Sequence, residues 1–287
     1  MGECGVMNMK WENKNRIKGA ALCAAMCALL IWSGCRMCGA GTGIGAEDAV
    51  RQLGAAFAGA FDGAPVQGLF KKDPVVLLDP GHGGIDGGAE SADGECEKNI
   101  NLSICFKIRD ILEENGVDVV MTRETDCGLY SEGKSSVRTK KTEDLRARLD
   151  MSYKLKPDTF VSVHLNSYRE DRSVFGAQTF YTTAGDAAVS EMSRALAERI
   201  QALLVSYIEN GNTRSAMGKD DVLLMKEARY PTVIVECGFL SNASEAALLQ
   251  TDEYQDKIAR AIADGVLGYF GIEKKERRAG DIKVVTT

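Results

Sequence analysis

This sequence predicts an α/β domain, a sheet covered by helices on both faces. Three observations carry that prediction. From Pro74 onward, short β-branched runs alternate with longer runs of helical period, the pattern of strand–helix–strand units. Several strand-like runs are apolar at consecutive positions, as strands buried on both faces are. The chain of 287 residues is also long enough for one sizeable core of roughly 200 residues with appendages.

The elements follow in order. Residues 75–78 (VVLL) form a first buried strand, which leaves through the Gly-rich turn Asp79-Pro80-Gly81-His82-Gly83-Gly84. A helix is predicted over 97–115, where Ile100, Ile104, Ile108, Ile111 and Leu112 share one face and Gly116 supplies the stop. Residues 117–122 are a second strand, and 143–155 is helical by pattern. The run 159–165 (TFVSVHL) alternates and ends at His164; 177–182 is β-rich. A helix over 186–209, a short apolar strand over 232–235, and helices over 244–250 and 254–270 close the domain. There is no internal repeat and no low-complexity tract.

Charge is unevenly spread. The formal net charge is −6, but residues 1–45 carry +3, which leaves −9 on the remainder. An acidic body argues against a nucleic-acid partner, which would need a basic face. It argues equally against electrostatic adhesion to an anionic surface, so recognition falls to a shaped groove. In the basic start, the apolar run 19–32 (GAALCAAMCALLIW) would rise roughly 21 Å as a helix, short of the ~30 Å of a bilayer core. Positive residues, a short apolar run and then small residues describe an export signal or membrane anchor over 1–45. Ser33-Gly34-Cys35 resembles the end of a lipoprotein signal, although Trp32 stands where that pattern has Leu, Val or Ile. Cleavage, lipidation and retention all remain open. Residues 46–73, rich in Ala and Gly, read as a linker, 74–271 as the folded domain, and 272–287 as a charged tail.

Of nine cysteines, five lie in the export segment, and Cys96, Cys105, Cys127 and Cys237 remain. None forms a CxxC pair, so no thiolate zinc site is indicated. Cys105, within a helical apolar pattern, and Cys237, at the end of an apolar strand, read as buried free thiols.

The chain has two histidines, His82 and His164, and both fall at predicted strand ends, where ligands gather in open α/β sheets. A catalytic zinc commonly takes three protein ligands and keeps a fourth position for water, and His₂Glu is one such set. The third ligand would come from a nearby helix start. Spacing leaves Glu97, Glu95 and Glu90 in competition, since carboxylates favour helix N-termini in any case. Asp79 and Asp86 flank His82, and either could orient its second ring nitrogen.

Four motifs in order now point to one family. They are Leu77–Gly88 (LLDPGHGGIDGG), Glu97-Lys98 with Asn101-Leu102, Ser162–Asn166 (SVHLN), and Val235–Asn242 (VECGFLSN). Together they resemble the zinc-dependent type-3 N-acetylmuramoyl-L-alanine amidases over about residues 74–271. The resemblance implies a mixed, mostly parallel sheet, one zinc ion on His82, Glu97 and His164, and Glu236 as the catalytic carboxylate. It implies peptidoglycan, a glycan strand with stem peptides, as substrate. The segments 176–181 (GAQTFY) and Asn212-Thr213-Arg214 are similar to the spore-cortex subgroup, whose members strip peptides from muramic acid on the way to muramic-δ-lactam. The short stretch between His164 and Gly176 leaves little space for the inhibitory helix of division-type members, so restraint would fall to an accessory protein or to timing. Arg214 is a candidate contact for the carbonyl side of the substrate, against a surface salt bridge. Asn166 and Asn242 are candidates for shaping the groove, against satisfying turn backbone. A vegetative autolysin, a zinc peptidase or a non-catalytic wall-binding protein would share much of this pattern.

Overall fold

The computed structural model describes residues 73–274 except 132, 134 and 135. The expected export segment, the linker before residue 73 and the tail from residue 275 lie outside the described residues.

Six strands and six helices alternate among the described residues: β1 (Val75–Pro80), α1 (Glu97–Glu114), β2 (Asp118–Met121), α2 (Val137–Leu155), β3 (Thr159–Asn166), β4 (Gln178–Thr182), α3 (Ala187–Ile208), β5 (Met217–Lys219), α4 (Leu223–Lys226), β6 (Thr232–Phe239), α5 (Ala243–Leu249) and α6 (Asp252–Phe270). The sheet order is β2-β1-β3-β6-β4-β5. The first four run parallel, β4 opposes β6, and β5 runs parallel with β4. This is the mixed, mostly parallel sheet that the motifs imply.

Alternation along the strands builds two unequal layers. Val76, Leu78, Val161, Val163, Val233 and Val235 share the large core with Ile104 and Ile108 of α1, Leu196 and Ile200 of α3, and Ile258 and Ile262 of α6. On the other face, Leu77 and Phe160 meet Leu149 of α2 and Leu224 of α4 in a smaller cluster. Beyond Phe160 that second face turns polar, through Ser162 to His164, toward the carboxyl ends of the parallel strands. Cys105 and Cys237 are buried free thiols, as their apolar settings suggest.

Differences from the sequence expectation have local causes. Helix α2 starts at Val137, six residues before 143, because the Ser136 side chain caps it by accepting from the Thr139 amide at 3.1 Å. Its first turns are polar and carry no apolar stripe to detect. Strand β5 and helix α4 have three and four residues, too few for any period to register. Strand β6 continues through Glu236 to Phe239 because pairing with β3 and β4 sustains it past the apolar run.

Candidate metal centre

Three segments deliver side chains to one point. The turn after β1 brings His82, the first residue of α1 is Glu97, and β3 carries His164 near its end. One ligand atom from each lies within 4.8 Å of the others. Glu97 Oε1 stands 3.2 Å from His82 Nε2 and 3.0 Å from His164 Nδ1. Donors on a tetrahedral zinc with bonds of ~2.0–2.1 Å stand roughly 3.3 Å apart. The donor types and these separations fit such an ion. Among the three carboxylates that spacing leaves in competition, only Glu97 joins this cluster.

The local backbone is built for this convergence. His82 adopts a left-handed φ of 62°, and Gly83 and Gly84 continue with φ of 136° and 59°. Such a conformation costs a non-glycine residue on the order of 1–2 kcal/mol. Gly81 is required by crowding instead: a Cβ there would lie 2.2 Å from His164 Cε1. Glu97 is 3% exposed, and its carboxylate accepts from the amides of Ala89 and Leu165 at 2.8 and 2.9 Å. Asn101, one helical turn on, donates to Glu97 Oε1 at 3.2 Å. The motif Glu97-Lys98 with Asn101-Leu102 carries this i+4 pair in the sequence.

Asp86, rather than Asp79, orients His82: its Oδ2 is 3.0 Å from His82 Nδ1, while Lys141 holds its other oxygen at 2.7 Å. Asp79 is fully buried and accepts from Ser162, Thr122 and Arg148 instead. Burial pulls the His82 imidazole down, but the adjoining Asp86 and Glu97 carboxylates outweigh it and lift its pKa to about 9. Burial opposes ionisation of Glu97 as well, yet the His164 and His82 rings hold its carboxyl well below the usual range.

Strand pairing sets Glu236 of β6 beside His164 on one side and Gln178 of β4 on the other. Its Oε2 is shut off from solvent and has no hydrogen-bond partner among the described residues. Burial accordingly raises its pKa, with His164 drawing it back in part. A buried, unsatisfied carboxylate oxygen next to a ligand cluster is poised to take a proton.

The other candidates do not touch the cluster. Arg214 donates to the Phe175 carbonyl at 3.0 Å and to Gln178 Oε1 at 3.1 Å, and stacks over Phe239 at 4.9 Å. It therefore stands one side chain away from Glu236, through Gln178. Asn166 Oδ1 accepts from the Ser167 amide at 2.8 Å, and Asn242 caps α5 through the Glu245 amide at 3.0 Å. Asn242 also lines a cavity of about 580 Å³ with Ser91, Ser167, Arg169 and Arg172. The loop between β3 and β4 contains no helix.

Comparison with known proteins decides the family. The pattern of N-acetylmuramoyl-L-alanine amidases (Amidase_3) matches residues 76–268. The chain belongs to that family. It is 41% identical over 196 residues to the germination-specific N-acetylmuramoyl-L-alanine amidase of Bacillus subtilis, covering 68% of this chain and 79% of that one. To the N-acetylmuramoyl-L-alanine amidase LytC of the same organism it is 34% identical over 203 residues, 69% of this chain but 37% of LytC. Among solved structures, the CwlD amidase of Clostridioides difficile, in complex with the GerS lipoprotein, is 39% identical with a TM-score of 0.66, over 70% of this chain and 100% of that one.

Proposed function

We propose that this amidase hydrolyses the amide between N-acetylmuramic acid and L-alanine in peptidoglycan, with one zinc ion on His82, Glu97 and His164 and with Glu236 as proton carrier. The observation that carries the reading is the convergence of two imidazoles and a buried carboxylate beside a second, unsatisfied carboxylate. Zinc bound there supplies Lewis acidity that lowers the pKa of water to about 7. Glu236 Oε2 takes the proton of the attacking water and returns it to the alanine nitrogen as the C–N bond breaks. The water oxygen remains on the lactyl carbonyl carbon, so the products are a free carboxylate and a free amine. Burial raises the pKa of this carboxyl, so it holds a proton more readily than a solvated carboxylate does, which suits this double duty. In this reading Arg214, which hydrogen-bonds Gln178, holds the carbonyl side of the substrate, and Asn166 and Asn242 shape the groove rim.

The likeness to the germination-specific enzyme supports action on spore cortex, on the way to muramic-δ-lactam. A vegetative-wall role is the second reading, favoured by the likeness to LytC. The catalytic domain in this reading is 74–271, which contains the residues 76–268 matched by the family pattern, and its acidic charge speaks against a nucleic-acid partner. Among the described residues no helix is long and apolar enough to cross a membrane; the export signal or anchor we propose is the segment 1–45. Export follows from the substrate, and the GerS complex of the C. difficile relative supports an accessory protein here. Mass spectrometry of digested cortex and vegetative peptidoglycan tests the whole. Free stem peptides beginning with L-alanine are expected, chiefly from cortex. Shortened stems still attached to glycan would instead reveal a peptidase.

A further inference from the structure

Three consecutive backbone carbonyls, those of Pro80, Gly81 and His82, meet two guanidiniums. Arg123 follows β2 and Arg148 lies in α2; they are 2% and 1% exposed. Arg123 Nε donates to the carbonyls of Pro80 at 3.0 Å and His82 at 2.8 Å, and Nη2 to that of Gly81 at 3.0 Å. Arg148 donates to the Pro80 carbonyl at 2.9 Å and to that of His82 at 2.7 Å. Arg148 has two carboxylates to balance it, the buried Asp79 and the partly buried Asp144. Arg123 has none within ion-pair distance among the described residues: its remaining bonds go to the carbonyls of Lys98 at 2.8 Å and Thr125 at 3.1 Å.

A buried cation whose hydrogen bonds all go to carbonyls is a costly way to fill a core, so packing does not account for it. Geometry does. The Arg123 Nη2 atom bridges Gly81, just before His82, to Lys98, just after Glu97. One rigid planar group thus sets how far the turn carrying His82 stands from the start of α1. Arg148 Nη2 donates to the same His82 carbonyl. His82 itself holds a left-handed φ of 62°, which relaxes unless its surroundings over-determine it.

We infer that Arg123 and Arg148 are positioning residues that clamp the strained His82 backbone and fix its separation from Glu97. The consequence for metal affinity rests on the reading of His82 as a zinc ligand. A lysine at 123 keeps the charge but loses the planar fork, so it cannot bridge both carbonyl sets.

The test is Arg123→Lys in the full chain, with zinc affinity by chelator competition, thermal melting by circular dichroism, and NMR of ¹⁵N-labelled histidine. Two histidines make the last measurement direct, since each imidazole reports one ligand. The clamp predicts cooperative unfolding, zinc affinity about 10–100-fold weaker, and a displaced His82 imidazole with His164 unmoved. Affinity within twofold of wild type, or equal displacement of both rings, would overturn it. If Arg123→Lys does not fold, Asp144→Asn loosens Arg148 instead: His82 should move selectively, and an unmoved His82 ring overturns the inference. A wild-type chain that binds no zinc would sink the metal reading, yet the two-histidine comparison in the metal-free protein would still decide the clamp.

Discussion

Gly81→Ala should weaken the metal centre without replacing any ligand. The added Cβ would lie 2.2, 2.4 and 2.6 Å from His164 Cε1, Nε2 and Nδ1. Ordinary contact begins near 3.4 Å, so the ring must retreat by roughly 1.2 Å, whereas metal–ligand distances tolerate about 0.2 Å. The backbone at Gly81 is not left-handed, so alanine itself is conformationally acceptable there. Structural zinc sites bind with about 10–16 kcal/mol over four ligands, or about 3 kcal/mol for each. Losing His164 should therefore weaken zinc by on the order of 10²-fold. Chelator competition on the purified variant measures this, with circular dichroism to establish folding and His164→Ala as the reference. A folded Gly81→Ala chain that binds zinc within threefold of wild type would refute the assigned role of His164.

Glu236→Gln should keep zinc and fold while losing turnover by ~10²–10⁴; near-normal hydrolysis of purified peptidoglycan removes Glu236 from the mechanism. Glu97→Ala should lower the zinc content of the purified chain toward zero, and stoichiometric metal would count against the ligand set. Arg214→Ala should raise KM with little change in kcat if it grips the substrate away from the reacting bond, and unchanged steady-state constants would return it to a structural role. The buried Asp79 carboxyl is held low, because Arg148, Ser162 and Thr122 together outweigh its burial. Its folded pKa lies below its unfolded value of about 3.9. Its contribution to stability is thus complete above pH ~4 and fades as pH falls through the lowered folded value. Asp79→Asn should lose about 3–5 kcal/mol at pH 7 in urea denaturation, with the gap narrowing at pH 3. A gap that is constant across that range contradicts the pairing.

Periodicity alone exposed most of the fold. Apolar runs at 75–78 and 232–235 and the isoleucine stripe of α1 reflect burial, a property local sequence records directly. What escaped was short or polar: β5, α4 and the first turns of α2, whose cap at Ser136 precedes a stretch without an apolar face. The two histidines were legible as a pair because the chain has no others and both fall at strand ends. From residues alone the third ligand stayed open, and the family motifs singled out Glu97.

Tertiary structure decided the rest. Which of two flanking aspartates serves His82 depends on the turn at Gly83 and Gly84, which brings Asp86 back to its ring while Asp79 stays buried against Arg148. The place of Glu236 depends on β6 pairing with β3, a contact between distant segments that sets its side chain beside His164. Arg123 and Arg148 read in sequence as ordinary charges, since nothing local marks a guanidinium whose partners are carbonyls of another segment. The sequence by itself therefore determined the architecture, the two histidines and, through its motifs, the chemistry. Only the packed chain decided which carboxylates face the imidazoles and what holds them there, because hydrogen-bond partners are set by distance in space rather than along the chain.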